Sequence, residues 1–294
     1  MSEIAKQISS KLEKIPLPFK VISAVLFGSR ARGAETPLSD VDILVVAEGI
    51  NPKFHRRSSE IAQIKRHFPG ISLDILLFTT EEVISNFKNH NPLFLDIVAE
   101  GIILIDRDNF ISHLIEETRE YIRERGIKKL NGGWQFPTIP GIPTYLSKIT
   151  NKDFSFAMLK DGERDALIGE RLLDYKFYDK SVYHSQQSIE KSIKAILIAA
   201  GIFQRTHFVG SILREVVEKL GISDELKNKL LEAANISESI EAETTLTRYP
   251  AIIQDTLWLP SEEYVEEDAE IAKEKAETVL AISREFLKYW FKEE

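Results

Sequence analysis

The sequence contains no cysteine. That excludes a disulfide framework and any thiolate zinc site. No stretch approaches the ~20 consecutive apolar residues that a bilayer-spanning helix needs. The opening residues, MSEIAKQISSKLEKI, are amphipathic and charged; they lack the apolar core of a signal peptide. The expected setting is therefore the cytoplasm, with no membrane partner. A strong basic excess is missing too, since the net charge is −8. It is unevenly placed, with 11 acidic against 5 basic side chains in residues 261–294 and 35 against 33 in the remainder. Most of the chain does not repel nucleic acid, yet it is not a dedicated nucleic-acid binder. Charge leaves the partner open.

What is present fits a soluble protein of two ordinary domains: 294 residues, 43% apolar and 29% charged. The stretch that organises the rest is residues 21–46, VISAVLFGSRARGAETPLSDVDILVV. A strand-like run, Val21–Phe27, stops at Gly28-Ser29, and a second opens with Ser39-Asp40-Val41-Asp42. Gly28 lets a backbone approach a bulky anion closely. Ser29 adds a hydroxyl, and Arg30 and Arg32 add cationic forks suited to phosphate oxygens. Asp40 and Asp42, two apart on a strand, point to one face about 7 Å apart, a spacing that lets both reach a hard cation such as Mg²⁺. Residues 71–78, ISLDILLF, form a further β-rich run with Asp74 inside it. An acid there is costly to bury unpaired. If this strand lies beside the second, Asp74 joins Asp40 and Asp42 around a metal.

Gly-Ser, ten intervening residues and then Asp-x-Asp resemble the signature of the DNA polymerase β-like nucleotidyltransferases, and of their minimal branch in particular. The resemblance implies that Gly28 and Ser29 hold the triphosphate, helped by Arg30 or Arg32 and by Ser39. It implies that Asp40 and Asp42 hold two Mg²⁺ ions, ~3.5–4 Å apart, and that Asp74 completes the metal site and helps deprotonate the acceptor. The donor implied is ATP. The acceptor stays open between a protein hydroxyl, an RNA end and a small molecule.

Periodicity and punctuation place the other elements. Helices are expected over 3–14, 53–67 (Phe54, Ile61 and Ile64 inward), 92–100 and 110–130, with a helix start at Thr79 and a strand at Ile102–Ile105. Residues 131–146 hold three prolines and three glycines but also Trp134, Phe136, Ile139, Ile142 and Tyr145; we expect an ordered connection. From Asp153 onward the pattern is helical, at about 153–173, 177–200, 208–220, 223–247 and 262–291. The fold class is α+β: a small α/β nucleotidyltransferase domain over 1–108, a helix and ordered connection over 109–150, and an all-α bundle over 151–294.

The bundle's markers are Tyr183-His184-Ser185-Gln186-Gln187, Glu190-Lys191, Lys194-Ala195, Arg205-Thr206-His207 and Thr247-Arg248-Tyr249-Pro250. This set is similar to the HEPN domain. HEPN ribonucleases place an Arg and a His several residues apart, with a Tyr following. Here Arg205 and His207 are separated by one residue, and Val209 stands where the Tyr belongs. The expectation is a non-nuclease HEPN domain shaping the acceptor side, with His207 as a helix-start cap and Arg248 in an ion pair. The only pair at the ribonuclease spacing, Arg107 and His113, lies outside the bundle and is discounted. Two alternatives remain: a regulatory module that holds nucleotide without turnover, or a toxin–antitoxin-type fusion whose second domain binds or cleaves RNA. A homo-oligomer, dimeric, is the expected assembly.

Overall fold

The computed structural model describes residues 2–34, 36, 39–146, 148–253 and 255–292. The chain forms two compact units, Met1–Gly126 and Ile127–Glu294. No described helix is long and apolar enough to cross a membrane.

The first unit is built on a four-stranded sheet. In chain order its elements are α1 (Glu3–Leu12), β1 (Lys20–Phe27), a one-turn helix α2 (Ser29–Arg32), β2 (Val41–Glu48), α3 (Ser58–Arg66), β3 (Leu73–Phe78), α4 (Thr80–Lys88), α5 (Pro92–Glu100), β4 (Ile102–Asp106) and α6 (Phe110–Arg125). The strand order is β3-β2-β1-β4, with β2 and β3 parallel and the other pairs antiparallel. Ala24, Leu26, Ile43, Val45, Ile75 and Leu77 pack with α1 and α3 on one face. Val25, Phe27, Leu44 and Val46 pack with α4, α5 and α6 on the other. A sheet buried on both faces reads as continuous apolar runs rather than alternation, which is why VISAVLF and ILVV look alike.

Local chemistry sets the borders. Thr79 and Glu82 form a reciprocal capping box at the head of α4. The helix expected over 110–130 ends at Arg125, because Gly126 adopts a left-handed conformation (φ 64°) and the chain turns into a strand. Residues 53–67 are a 3₁₀ turn followed by α3. Phe54 is 52% exposed rather than inward, yet it stacks on Phe78 at 5.1 Å. Next to it Arg57 is 1% exposed. Its guanidinium donates to the carbonyls of Asn51, Pro52 and Leu77 and forks onto Glu82 at 2.6 and 2.8 Å. Burial is the largest influence on Glu82 and opposes its ionisation, but the Arg57 hydrogen bond, the Thr79 backbone N–H and the Arg57 charge together outweigh it and hold that carboxyl below its usual range.

The second unit opens with β5 (Lys128–Leu130) and β6 (Gly133–Gln135), followed by α7 (Asn151–Asp174), α8 (Tyr178–Ala199), β7 (Ile202–Gln204), α9 (Gly210–Val217), α10 (Asp224–Glu238), the one-turn α11 (Glu243–Leu246), a hairpin of β8 (Ala251–Ile253) and β9 (Thr256–Trp258), the one-turn α12 (Pro260–Glu263) and α13 (Glu266–Phe291). β5, β6 and β7 make a small sheet beside the helices. Along α7 and α8, glycine faces serine: Cβ atoms at Gly162 and Gly169 would lie 3.1–3.3 Å from Ser188, Ser192, Ser181 and Ser185. Side chains that small let two helix backbones approach closely. The helix expected over 223–247 is split, with α10 ending at Glu238 and α11 following a turn. In the connection 131–146, Trp134 and Phe136 are buried, whereas Ile139, Ile142 and Tyr145 are exposed.

Candidate active site

The end of the sheet where β1 leaves and β2 and β3 enter gathers the residues singled out in the sequence. In the parallel ladder Asp42 stands directly beside Asp74. Paired positions of a parallel ladder share a face, so both acids continue the rows that hold Leu44 and Leu76 higher up. Asp74 is exposed and Asp42 half-buried. Asp40 is exposed and precedes the first ladder residue, Val41.

Gly28 closes the site from the β1 side. Its φ is 75°, and a Cβ there would lie 1.9 Å from Asp42 Oδ2. Only glycine fits, first for the backbone conformation and again for the carboxylate packed against its α-carbon. Ser29 begins α2, and the first N–H groups of any helix have no intrahelical acceptor. The arginines are engaged within the protein. Arg30 donates through Nε and Nη2 to the Ser39 carbonyl at 3.0 and 2.7 Å. Arg32 pairs with Glu100 at 2.9 Å in an exposed contact. Ser39 Oγ accepts from the Thr36 backbone N–H at 2.9 Å and so caps the turn. Glu35, Pro37 and Leu38 of that turn lie outside the described residues.

Of the three carboxylates expected around a metal, Asp42 and Asp74 are direct ladder partners. Among the described residues no three His, Cys, Asp or Glu side chains are gathered to hold a metal ion; Asp42 and Asp74 are paired in the ladder, and Asp40 precedes it. A pair still suits Mg²⁺, which is usually held by one or two carboxylates together with substrate phosphates. The donor set is hard oxygen, matching that ion.

The helical unit holds a different polar cluster, which the sequence reading found only in part. Asp165, on α7, accepts from His184 Nδ1 at 2.9 Å and from Lys191 at 2.5 Å. Lys191 also reaches Asp161 at 2.6 Å. Burial works against the Asp165 charge, but hydrogen bonds from His184 and Lys191 prevail and hold its carboxyl below the usual range. Glu190, its side chain 5% exposed, holds Lys194 at 2.7 Å and His207 Nδ1 at 3.0 Å. His207 is thus oriented by a buried acid rather than serving as a helix-start cap. Arg248, expected in an ion pair, instead lies over the rings of Tyr249 and Tyr183 at 5.0 and 6.0 Å. The i, i+7 spacing of His184 and Lys191 was the available signal; Asp165 carried none, lying in an ordinary polar stretch of α7. The discounted pair is also occupied structurally: Arg107 braces the Val21 carbonyl at 2.8 Å, and His113 pairs with Glu117.

Comparison with known proteins agrees with this division. Residues 2–104 match the family described as a nucleotidyltransferase domain, and residues 157–290 match the HEPN domain. A Methanocaldococcus jannaschii protein named as a candidate toxin is 41% identical over 138 residues, 47% of this chain and 91% of that protein. Two further proteins of that organism, both named as candidate protein adenylyltransferases, are each 33% identical over 106 residues. The matches span 35% and 36% of this chain, and 71% and 97% of those proteins.

Proposed function

Because the chain belongs to the nucleotidyltransferase and HEPN families, we propose that it moves AMP from ATP onto a hydroxyl of a protein side chain. The observation that carries this reading is the Asp42–Asp74 pair beside a glycine whose α-carbon the Asp42 carboxylate touches. The names of the two adenylyltransferase relatives favour ATP as donor and a protein as acceptor.

On this reading Gly28 and Ser29 bind the outer phosphates through backbone and hydroxyl groups. Arg30 keeps the Ser39 turn in place, and Arg32 supplies cationic charge at the rim. Asp42, Asp74 and Asp40 would hold Mg²⁺, which when bound neutralises phosphate charge and polarises the reacting phosphoryl group. The acceptor oxygen forms a bond to the α-phosphorus as the bond to the pyrophosphate oxygen breaks, and Asp74 takes the hydroxyl proton. The HEPN domain contributes acceptor selection without cleaving RNA. The work is done in the cytoplasm.

A second reading, a toxin–antitoxin-type fusion, is favoured by the name of the 41% identical relative. Incubation with ATP labelled at the α-phosphate, Mg²⁺ and cell extract separates the two. Label on a protein band, lost in Asp42→Asn, supports transfer. RNA degradation that survives Asp42→Asn supports the fusion.

A further inference from the structure

Six exposed cations of the first unit have no carboxylate partner among the described residues: Lys6 on α1, Lys14 just past it, Lys53 and Arg56 ahead of α3, and Lys65 and Arg66 at the end of that helix. Residues 53–67 hold five Lys or Arg against one Glu, in a chain whose net charge is −8. The helical unit treats its cations differently. There Lys191, Lys194, Arg214, Lys229, Lys273 and Arg284 each hold a carboxylate within 3.2 Å. α1 and α3 cover one face of the sheet, and Lys11 of α1 lies over the Phe68 ring at 5.3 Å, so the unpaired cations belong to one layer. Phe54, between Lys53 and Arg56 in sequence, is exposed yet fixed by its stack on Phe78. A rigid aromatic ring among polar groups is the usual anchor of an interface.

The same chain carries the complement. On α13 Ile271 is exposed, with Glu267 one turn before it and Glu274 one turn after it on the same side of the helix. Glu270 stands next to it in sequence. All three acids are exposed, and among the described residues none is ion-paired. An aliphatic anchor set among acids therefore answers an aromatic anchor set among cations.

We propose that these two surfaces join copies of the chain: the α1–α3 face of one copy receives the Ile271 face of α13 from a second. Phe54 packs on the partner's Ile271, and the cations around it meet the acids that flank that residue. Two copies that exchange the surfaces make the contact twice and close on themselves. A nucleic-acid strand would satisfy the cations but leave the α13 acids and Ile271 without a counterpart; a second copy satisfies both. Isolated exposed ion pairs are worth little, so the apolar anchors supply the affinity and the charges select the partner. The contact does not depend on the nucleotidyl-transfer reading.

Sedimentation velocity of the full chain, at concentrations up to about 100 μM, reads the assembly. At about 0.05 M salt the expected species is a dimer. At about 0.5 M, where charges are screened within a few ångström, it should dissociate. Lys53→Glu with Arg56→Glu turns the basic face against α13, and Glu270→Lys with Glu274→Lys does the same from the other side. All four positions are exposed, so both variants should keep the wild-type melting temperature while sedimenting as monomers. Mixed in equal amounts, the two variants should dimerise again, since each then offers the surface that fits the other. Phe54→Ala should raise the dissociation constant about tenfold. Reversed variants that stay apart when mixed overturn the proposal, because a contact within one chain cannot be restored between two. Dimers that survive either reversal, or that tolerate Phe54→Ala unchanged, overturn it too. A wild type that remains monomeric at low salt overturns it as well; retention of an oligouridine by that monomer would give the basic face to nucleic acid instead.

Discussion

Asp42 and Asp74 on the sheet and Asp165 and Glu190 in the helical unit are four acids in opposite circumstances. Asp165 and Glu190 are buried, and each is closed by a lysine and a histidine within 3.0 Å. Asp74 is exposed on the first residues of a strand, and among the described residues no cation pairs with it. Its neighbour Asp42 spends its space against a glycine. An acid whose charge is already balanced inside the protein has little left to offer a ligand. Two adjacent acids at a strand end repel each other and gain from a cation brought from outside. The first arrangement is how a fold holds its helices together; the second, on the proposed function, is where a substrate-bound cation would settle.

Four substitutions would break or sharpen that contrast. Asp42→Asn should produce the largest effect, lowering label transfer from α-labelled ATP about 10³-fold. The melting temperature should barely move, because asparagine removes the charge and keeps the shape of the side chain. A melting point that falls along with the activity would put Asp42 in the structural class instead. Gly28→Ala comes next. Its Cβ would be 1.9 Å from Asp42 Oδ2 and 2.8 Å from Cγ, so the carboxylate must swing away. A displacement of that size costs on the order of 10² in rate, measurable in the same transfer assay, and alanine at a φ of 75° should cost about 1–2 kcal/mol of stability as well.

Asp165→Asn should behave in the reverse manner, costing about 1–3 kcal/mol of stability and leaving transfer intact. Its pH dependence follows from the sign of the shift. The folded carboxyl titrates below the unfolded value of 3.8, so the charged acid stabilises the fold fully above that value. The benefit is lost as pH falls through the still lower folded value. Melting curves of wild type and Asp165→Asn should therefore stay separated from neutral pH down to about 4 and converge below it. A constant gap at acid pH would mean that the charge of Asp165 is not the source of stability. His207→Ala should do least, at most ~1 kcal/mol, since the ring is 62% exposed and Glu190 keeps Lys194. A gel of labelled RNA should show no cleavage to lose. Cleavage by the wild type that vanishes in His207→Ala would move Glu190 and His207 into the catalytic class.

The large elements were legible because their signals are large. β1 and β2 were readable as apolar runs, α4 from its Thr79 cap, and α7, α8 and α13 from sustained helical periodicity. β5, β6, β7, β8 and β9 were not, since three residues carry no period. α10 was overrun because neither glycine nor proline marks the turn at Ser239 and Ile240. At the site, the adjacency of Asp42 and Asp74 depended on one conditional pairing of strands. The Arg30 contact with the Ser39 carbonyl depends on a side-chain rotamer, which no spacing rule reveals. The need for glycine at position 28 was read as room for an anion; the structure adds room for Asp42.

The buried Arg57 has a consequence for this geometry. It ties the segment leaving β2, at Asn51 and Pro52, to the last turn of β3, at the Leu77 carbonyl. Parallel strands of similar apolar residues are interchangeable by sliding, and a slip of one position turns every side chain to the other face. For β3 that would bring Leu73 or Ile75 to stand beside Asp42 in place of Asp74. Arg57 acts as an alignment pin: with the far ends fastened, the near ends have one arrangement. Its loss would be felt at the opposite end of the same two strands as a wrong neighbour for Asp42.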